Sequence, residues 1–432
     1  MGRAEPAIAF KTFGCRVNQA DSDALVRKFR ARGFAIVPFG APADAVVLNT
    51  CTITHVADRK ARKAISRALR NHPDAVVAIT GCYATVQEER LTELFPGARV
   101  FPILDQDRMI EEIGELAGAG VGDGEAGRQG GSGKASRARP IVKVQEGCDH
   151  VCAFCIVPRA RGRSRSRSAD EIVNQIRELT AEGAAEVMVS GVSLGRYLCP
   201  ESGDRVGGLV ARILEETEVP RLRVSSVEPM DFDRALLDSL SDPRLSPHLH
   251  LPLQSGSDAI LKAMRRPYTA AEYRELREAV RAVLPEVAIG ADVMVGFPGE
   301  TEADFAATVG LIEELEFASL HVFPYSKRSR TLAALNPDSV EDSVKRARVS
   351  ELLELGAEGS FRYAARFSDT VREVLWESES DGSLTGLSDN YLRVTGPGEA
   401  ALVGRLGPAR LHVCADGTVQ AVPLVAAMSG GA

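Results

Sequence analysis

Three cysteines, Cys148, Cys152 and Cys155, fall within eight residues of the segment KVQEGCDHVCAFCIVPRARG. Thiolates this close together suit a soft metal centre, and cysteine ligation is how iron–sulfur clusters are held. Three ligands on a cubane of four irons leave one iron open to another molecule. A zinc ribbon would need a second CxxC pair to close its tetrahedron, and none follows. A second set is spread through the first hundred residues: Cys15 in KTFGCRVNQADSD, Cys51 in VVLNTCTIT and Cys82 in AVVAITGCYAT. Each sits just past the carboxyl end of an expected strand, and the separations match about one βαβ unit. Parallel strands bring their carboxyl ends to one edge of a sheet, where such folds bind ligands. These three could therefore converge and hold a second cluster, again with an open iron. Burial as structural thiols is the common alternative for free cysteine. Three equivalent positions weigh against it. Cys199 and Cys414 are solitary and read as structural.

The elements that must position these residues follow from the hydrophobic pattern. Residues 7–115 alternate between strands at 8–12, 45–50 and 75–80 and helices at 21–32 and 56–70. Residues 118–139 are Gly-rich and nearly free of large apolar groups, which predicts a flexible linker. From 141 onward, strands at 141–144, 186–190, 222–226, 248–253, 289–295 and 320–325 are each followed by a helix-like segment. Six βα units predict an incomplete parallel barrel, since eight close the full one. A helical connector at 340–366 leads to short strands at 371–376, 391–394 and 411–414. Gly and Asp-Gly turns between them predict a small antiparallel β-barrel. The expected class is α/β, with a parallel-sheet domain at 5–116, a linker at 117–139, a partial (β/α)6 barrel with its connector at 140–366, and a β-barrel at 367–427.

Composition sets the outer limits. A chain of 432 residues implies two to four domains, and eight cysteines are too sparse for a disulfide framework. The N-terminal MGRAEPAIAFK has no signal-peptide core and no stretch approaches a membrane span, so a cytoplasmic location is expected. The formal net charge of −7 argues against wholesale coating of nucleic acid but leaves local basic surfaces open.

The two cysteine triads and the tail resemble the methylthiotransferases, radical S-adenosylmethionine (SAM) enzymes with two 4Fe–4S clusters. The CxxxCxxC spacing is the one radical SAM enzymes use, with SAM on the open iron. The resemblance spans about residues 7–425. The segments KTFGCRVNQADSD, RLRVSSVEP, HLHLPLQSGSDAILKAMRRPYT, ADVMVGFPGETEADF and HVFPYSKRSRTLAA are most similar to the branch acting on tRNA threonylcarbamoyladenosine. Arg330 departs from it, standing where the pattern has Gly before Thr331.

The resemblance implies a reaction at adenine C2, whose unactivated C–H bond gives acid–base catalysis no purchase, so a cofactor carries the hard step. It implies that Cys148, Cys152 and Cys155 hold the SAM-binding cluster, and that Cys15, Cys51 and Cys82 hold a second that carries sulfur. Two SAM molecules would be used to form the methylthio group on N6-threonylcarbamoyladenosine at tRNA position 37. Phe154, Ile156, Gly191, Ser225, Ser226, Glu228, Gln254, Ser255 and Asp292, at or near carboxyl ends of barrel strands, are SAM-binding candidates. For any one polar member a cap or turn role competes equally. Arg159, Arg161, Arg163, Arg165 and Arg167 alternate without an interrupting acid and are candidates for phosphates of an anticodon stem-loop; a solvated loop is the alternative. Basic residues Arg59, Lys60, Arg62, Lys63, Arg67 and Arg70 extend that expectation, and the tail resembles an RNA-binding TRAM domain. A flavodoxin or ferredoxin is the expected class of electron donor. Three other functions stay open: methylthiolation of isopentenyladenosine in tRNA, methylthiolation of an aspartate in a ribosomal protein, and a non-enzymatic iron–sulfur RNA binder.

Overall fold

The computed structural model describes residues 5–116, 138–337 and 339–424. The expected linker therefore lies almost wholly outside the described residues. The chain forms two compact units. One comprises residues 5–116 together with 146–150 and 155–164; the other comprises 138–145, 151–154 and everything from 165 onward.

The first unit is built on five strands: β1 (Ala7–Thr12), β2 (Ala35–Val37), β3 (Ala45–Thr50), β4 (Val76–Gly81) and β5 (Ala98–Val100). Their order is β2-β1-β3-β4-β5, with all neighbours parallel. Every residue of β3, AVVLNT, is buried, because a parallel strand covered on both faces needs continuous apolar character. The order reverses between β1 and β3, which makes that carboxyl edge the topological switch point where open α/β sheets bind ligands. Helices Arg16–Ala31 and His55–Asn71 start right after that edge. The second is capped by Thr54, whose hydroxyl accepts from the Ala57 N–H. The three-residue edge strands β2 and β5 were not expected from the sequence; each is too short for an alternation to register.

The second unit opens with β6 (Ile141–Glu146), followed by β7 (Arg165–Ser166), β8 (Val187–Gly191) and β9 (Leu222–Val224) in the order β7-β6-β8-β9. Then come β10 (His248–His250), β11 (Ala288–Val295) and β12 (Ser319–Pro324), all parallel and in sequence order. The six expected barrel strands are present. The fourth stops at His250 rather than Leu253, because Pro252 has no N–H to give the ladder. Gln254 resumes it as a bridge to Val293, at a φ of 66°. Along β11, Ile289, Ala291, Val293 and Val295 enter the main apolar core. The alternate residues Gly290, Asp292 and Met294 occupy the opposite face.

Helix Asp342–Ala365 leads into a closed barrel of β13 (Val371–Ser380), β14 (Ser383–Ser388), β15 (Arg393–Pro397), β16 (Leu406–Val413) and β17 (Val419–Pro423). Trp376, Leu384, Val394, Leu411 and Ala421 fill it. Within this unit, buried Glu186 gathers Arg139, Arg221 and Arg223. Arg221 and Arg223 in turn donate to the carbonyls of Glu373 and Ser388, so these guanidiniums pin the tail barrel to the parallel strands.

Candidate metal centres

The first three cysteines do converge. Cys15 stands at the N-cap of helix Arg16–Ala31, Cys51 directly follows β3, and Cys82 opens the short helix Cys82–Val86 after β4. Two glycines make this possible. Gly14 has a φ of +99°, and a Cβ there would lie 3.0 Å from the Cys51 Sγ. Gly81 has a φ of +95°, and a Cβ would lie 2.4 Å from the Thr50 carbonyl and the Asn49 Oδ1.

Asn18, fully buried on the first helix, ties the set together. Its Nδ2 donates to the carbonyls of Phe13 at 2.9 Å and Thr50 at 3.1 Å. Its Oδ1 lies 3.7 Å from the Cys15 sulfur and 3.9 Å from the Cys82 sulfur. Cys51 and Cys82 are buried while Cys15 is exposed. Burial, reinforced by the neighbouring thiols, pushes the Cys51 thiol up to about 12. Burial raises Cys82 as well. Buried thiols such as Cys51 and Cys82 are poor anions alone and strong ligands once a cation neutralises them. The donor set fits a cluster of three cysteine ligands.

Arg161 was expected to meet phosphate, and the structure overturns that. Its side chain is only 2% exposed and forms ion pairs with Asp21 and Glu146. Its Nε donates to the Cys82 Sγ at 3.2 Å. A guanidinium buried among two carboxylates, an amide and a thiol is closed to a nucleic acid. Arg159, Arg163 and Arg165 are exposed. Arg167 divides its N–H groups among the Lys143 carbonyl, Gln175 and Glu171.

In the loop that carries the other triad, each sulfur accepts an N–H. The His150 amide donates to Cys148 and the Val157 amide to Cys155, both at 3.4 Å. Arg266 donates its Nη1 to Cys152, also at 3.4 Å. Donors to sulfur of this kind are the outer-shell contacts that orient cysteine ligands. Arg266 is buried, pairs with Glu228 and lies over the Tyr268 ring. Burial opposes its charge, yet Glu228 and its other neighbours raise its pKa overall.

The remaining candidates separate into available and committed groups. Ser225 is 8% exposed, and its hydroxyl has no partner among the described residues, as a ligand contact requires. Phe154 packs with Met294 against Ala153, Met264 and Phe297. Ile156 is buried. The close approach that Gly191 permits is filled by Gln145, 3.0 Å from a built Cβ. Glu228 is engaged by Arg266, and the Gln254 amide donates to the Asp292 carbonyl. Ser255 is fully buried, its hydroxyl placed against Thr308 and accepting from the Ser257 amide. It is a turn-forming residue, which corrects its expected place among the SAM contacts.

Asp292 sits between two histidines that sequence reasoning did not single out. His321 Nδ1 lies 3.1 Å and His250 Nε2 3.3 Å from its Oδ1. Ser226 Oγ lies 2.5 Å from the His250 Nδ1. Although burial opposes it, the two imidazoles hold the Asp292 carboxyl well below the usual range. The alternation HLHLPL was the available signal, since strand period two places His248 and His250 on one face. For Asn18 and Asp21 the signal was the helical spacing of Cys15, Asn18 and Asp21, polar residues on the side that becomes buried.

Comparison with known proteins agrees. Residues 7–101 match the family described as Uncharacterized protein family UPF0004, and residues 142–312 match the Radical SAM superfamily. The Threonylcarbamoyladenosine tRNA methylthiotransferase MtaB of Bacillus subtilis (strain 168) is 35% identical over 92% of this chain and 92% of its own. The protein of that name from Aquifex aeolicus (strain VF5) is 37% identical over 81% of this chain and 87% of its own. The tRNA-2-methylthio-N(6)-dimethylallyladenosine synthase of Maricaulis maris (strain MCS10) is 33% identical over 97% of this chain and 98% of its own. Among solved structures, the radical SAM methyltransferase TsrM from Kitasatospora setae has a TM-score of 0.54 at 15% identity, covering 74% of this chain and 75% of its own, a likeness of fold. With these identities over nearly full length, and with thiols gathered at the switch point of its first sheet, the chain belongs to the methylthiotransferase family of radical SAM enzymes.

Proposed function

We propose that this enzyme adds a methylthio group to C2 of N6-threonylcarbamoyladenosine at position 37 of tRNA. The observation that carries the reading is that Cys15 and Cys82 meet at Asn18, which also holds the Thr50 carbonyl next to Cys51, in a chain that also bears the CxxxCxxC loop. One triad answers to SAM cleavage; a second, separately built, answers to the sulfur that cleavage alone does not supply. When bound, two 4Fe–4S clusters and two SAM molecules provide the radical chemistry, the sulfur carrier and the methyl group.

The chain's own residues hold, orient and shield. Arg266 fixes the Cys152 thiolate and is itself fixed by Glu228. Ser225 offers an unspent hydroxyl, Gly191 and Phe154 shape the surroundings, and the Asp292 carboxylate stays anionic between its imidazoles. Within the first unit, exposed Arg159 and Arg163, and Arg59, Lys60, Lys63, Arg67 and Arg70 on helix His55–Asn71, are the basic groups offered to stem-loop phosphates; exposed Arg165 is the second unit's. The target base must leave its stack to be reached, which a loop nucleotide does at low cost.

The threonylcarbamoyl substrate is favoured by the names of two of the relatives quoted above and by the segments around Ser225, Ser226 and Glu228. The Maricaulis maris relative carries the dimethylallyladenosine name, so the substrate needs direct proof. Mass analysis of tRNA nucleosides from a deletion strain should show loss of the methylthio form of threonylcarbamoyladenosine alone. Loss of the isopentenyl form, or a mass change in a ribosomal protein with tRNA intact, refutes the assignment. With the reconstituted enzyme, Cys82→Ala should still release 5′-deoxyadenosine under reductant while product formation stops.

A further inference from the structure

Arg161 is the buried member of the arginine series, and a surface role leaves it unexplained. It ends the short helix Val157–Arg161 and spends its fork on four partners. Nε donates to Cys82 Sγ at 3.2 Å, Nη2 to Asn18 Oδ1 at 2.6 Å and Asp21 Oδ2 at 2.9 Å, and Nη1 to Glu146 Oε1 at 2.8 Å. The backbone next to it is equally committed. The Cys148 amide donates to the Gly162 carbonyl at 3.1 Å, and a Cβ on Gly147 would lie 2.0 Å from the Arg163 carbonyl. One stretch, 161–163, thus supplies a hydrogen bond to a sulfur of the first triad and props the backbone of Cys148.

Building on the reading that Cys15, Cys51 and Cys82 hold a cluster, we propose that Arg161 is a positioning residue that raises the reduction potential of that cluster through its N–H bond to Cys82. Hydrogen bonds to ligating sulfur and nearby positive charge stabilise the extra electron of the reduced state. Arg161 does both, and it also covers two carboxylates whose bare charge would oppose reduction. Lysine can supply the charge but not a planar fork that reaches a thiol, an amide and two acids together.

The test uses the full-length chain with Cys148, Cys152 and Cys155 changed to alanine, so that any iron–sulfur signal comes from the first triad. Redox titration followed by electron paramagnetic resonance gives its midpoint potential. Arg161→Gln should lower it enough to raise the oxidised-to-reduced ratio tenfold at the parent's midpoint, a shift of about 59 mV for one electron. Arg161→Lys should fall between the two. Adding Asp21→Asn to Arg161→Gln should recover part of the loss, which a merely structural role would not produce. An unchanged potential in the Gln variant with its iron retained overturns the proposal. Should the Gln variant hold no iron, the Lys variant decides: a parental potential there overturns it, an intermediate one supports it. If the parent itself binds no iron, the failure belongs to the two-cluster reading and not to Arg161.

Discussion

The two thiol sites solve one problem in opposite ways. Cys15, Cys51 and Cys82 are far apart in sequence and are brought together by three strand ends, with Gly14 and Gly81 taking the backbone conformations that need φ > 0. Cys148, Cys152 and Cys155 are neighbours in sequence and need only a loop. Each site nonetheless places one buried arginine on one sulfur: Arg161 on Cys82, and Arg266 on Cys152. The supports differ. Arg161 has two carboxylates and Asn18, whereas Arg266 relies on Glu228 and the Tyr268 ring. Among the described residues, every positive φ in the first unit belongs to glycine, while Gln254, Arg265 and Arg330 hold such conformations in the second.

Glycine substitutions test that contrast with the largest expected effect. Gly81→Ala drives a Cβ into the Thr50 carbonyl, so the first site should fail while the loop site survives. Iron per chain after anaerobic reconstitution should fall by about half, with 5′-deoxyadenosine release kept. Gly147→Ala, whose Cβ would meet the Arg163 carbonyl, should instead abolish that release. The same residual iron and the same activity in both variants would mean that the sites are not independent.

The supporting ion pairs come next. Glu228→Gln leaves Arg266 buried without its one carboxylate, which costs roughly 3–5 kcal/mol. Asp21→Asn leaves Arg161 with Glu146 and should cost about 1 kcal/mol, the scale of one exchanged hydrogen bond. Denaturant melts of the metal-free protein measure both. Equal losses would remove the asymmetry between the two arginines.

Much of this was readable because the deciding information is local. CxxxCxxC declares itself in eight residues, and the strand-end placement of Cys15, Cys51 and Cys82 follows from short, mostly apolar runs that end just before each cysteine. What escaped is what burial decides. Arg161 sits in an alternation that looks like a phosphate-binding stripe, and nothing in RARGR tells that one guanidinium turns inward to Asp21, 140 positions away. Ser255 looks like a strand-end ligand group until Thr308 arrives from another helix. Strands β14 and β17, SLTGLS and VQAVP, are polar or short and gain their identity only on closing the tail barrel.

Acid separates the units by a different route. The Glu186 carboxyl, whose burial alone would raise it, is held down at about 2 by Arg223, Arg221 and Arg139. Its folded pKa is therefore depressed, so its contribution is present above 4.5 and is lost as pH falls from 4.5 towards 2. The loss is on the order of 3 kcal/mol. Acid melts of the second unit's tryptophan, Trp376, should follow that window in the parent and flatten in Glu186→Gln.

The smallest effect sharpens the comparison most directly. Arg330 has a φ of 68°, a conformation that costs a side-chain-bearing residue roughly 1–2 kcal/mol and glycine nothing. Glycine in turn gives the unfolded chain more freedom, worth about 0.4–1 kcal/mol. Arg330→Gly should therefore stabilise the metal-free protein by roughly 0–1.6 kcal/mol, and Arg330→Ala, which keeps the Cβ, should not. If Arg330→Gly stabilises the fold yet raises the KM for tRNA with kcat unchanged, the arginine is retained for binding. A stabilised variant with parental KM would leave the strain without a role.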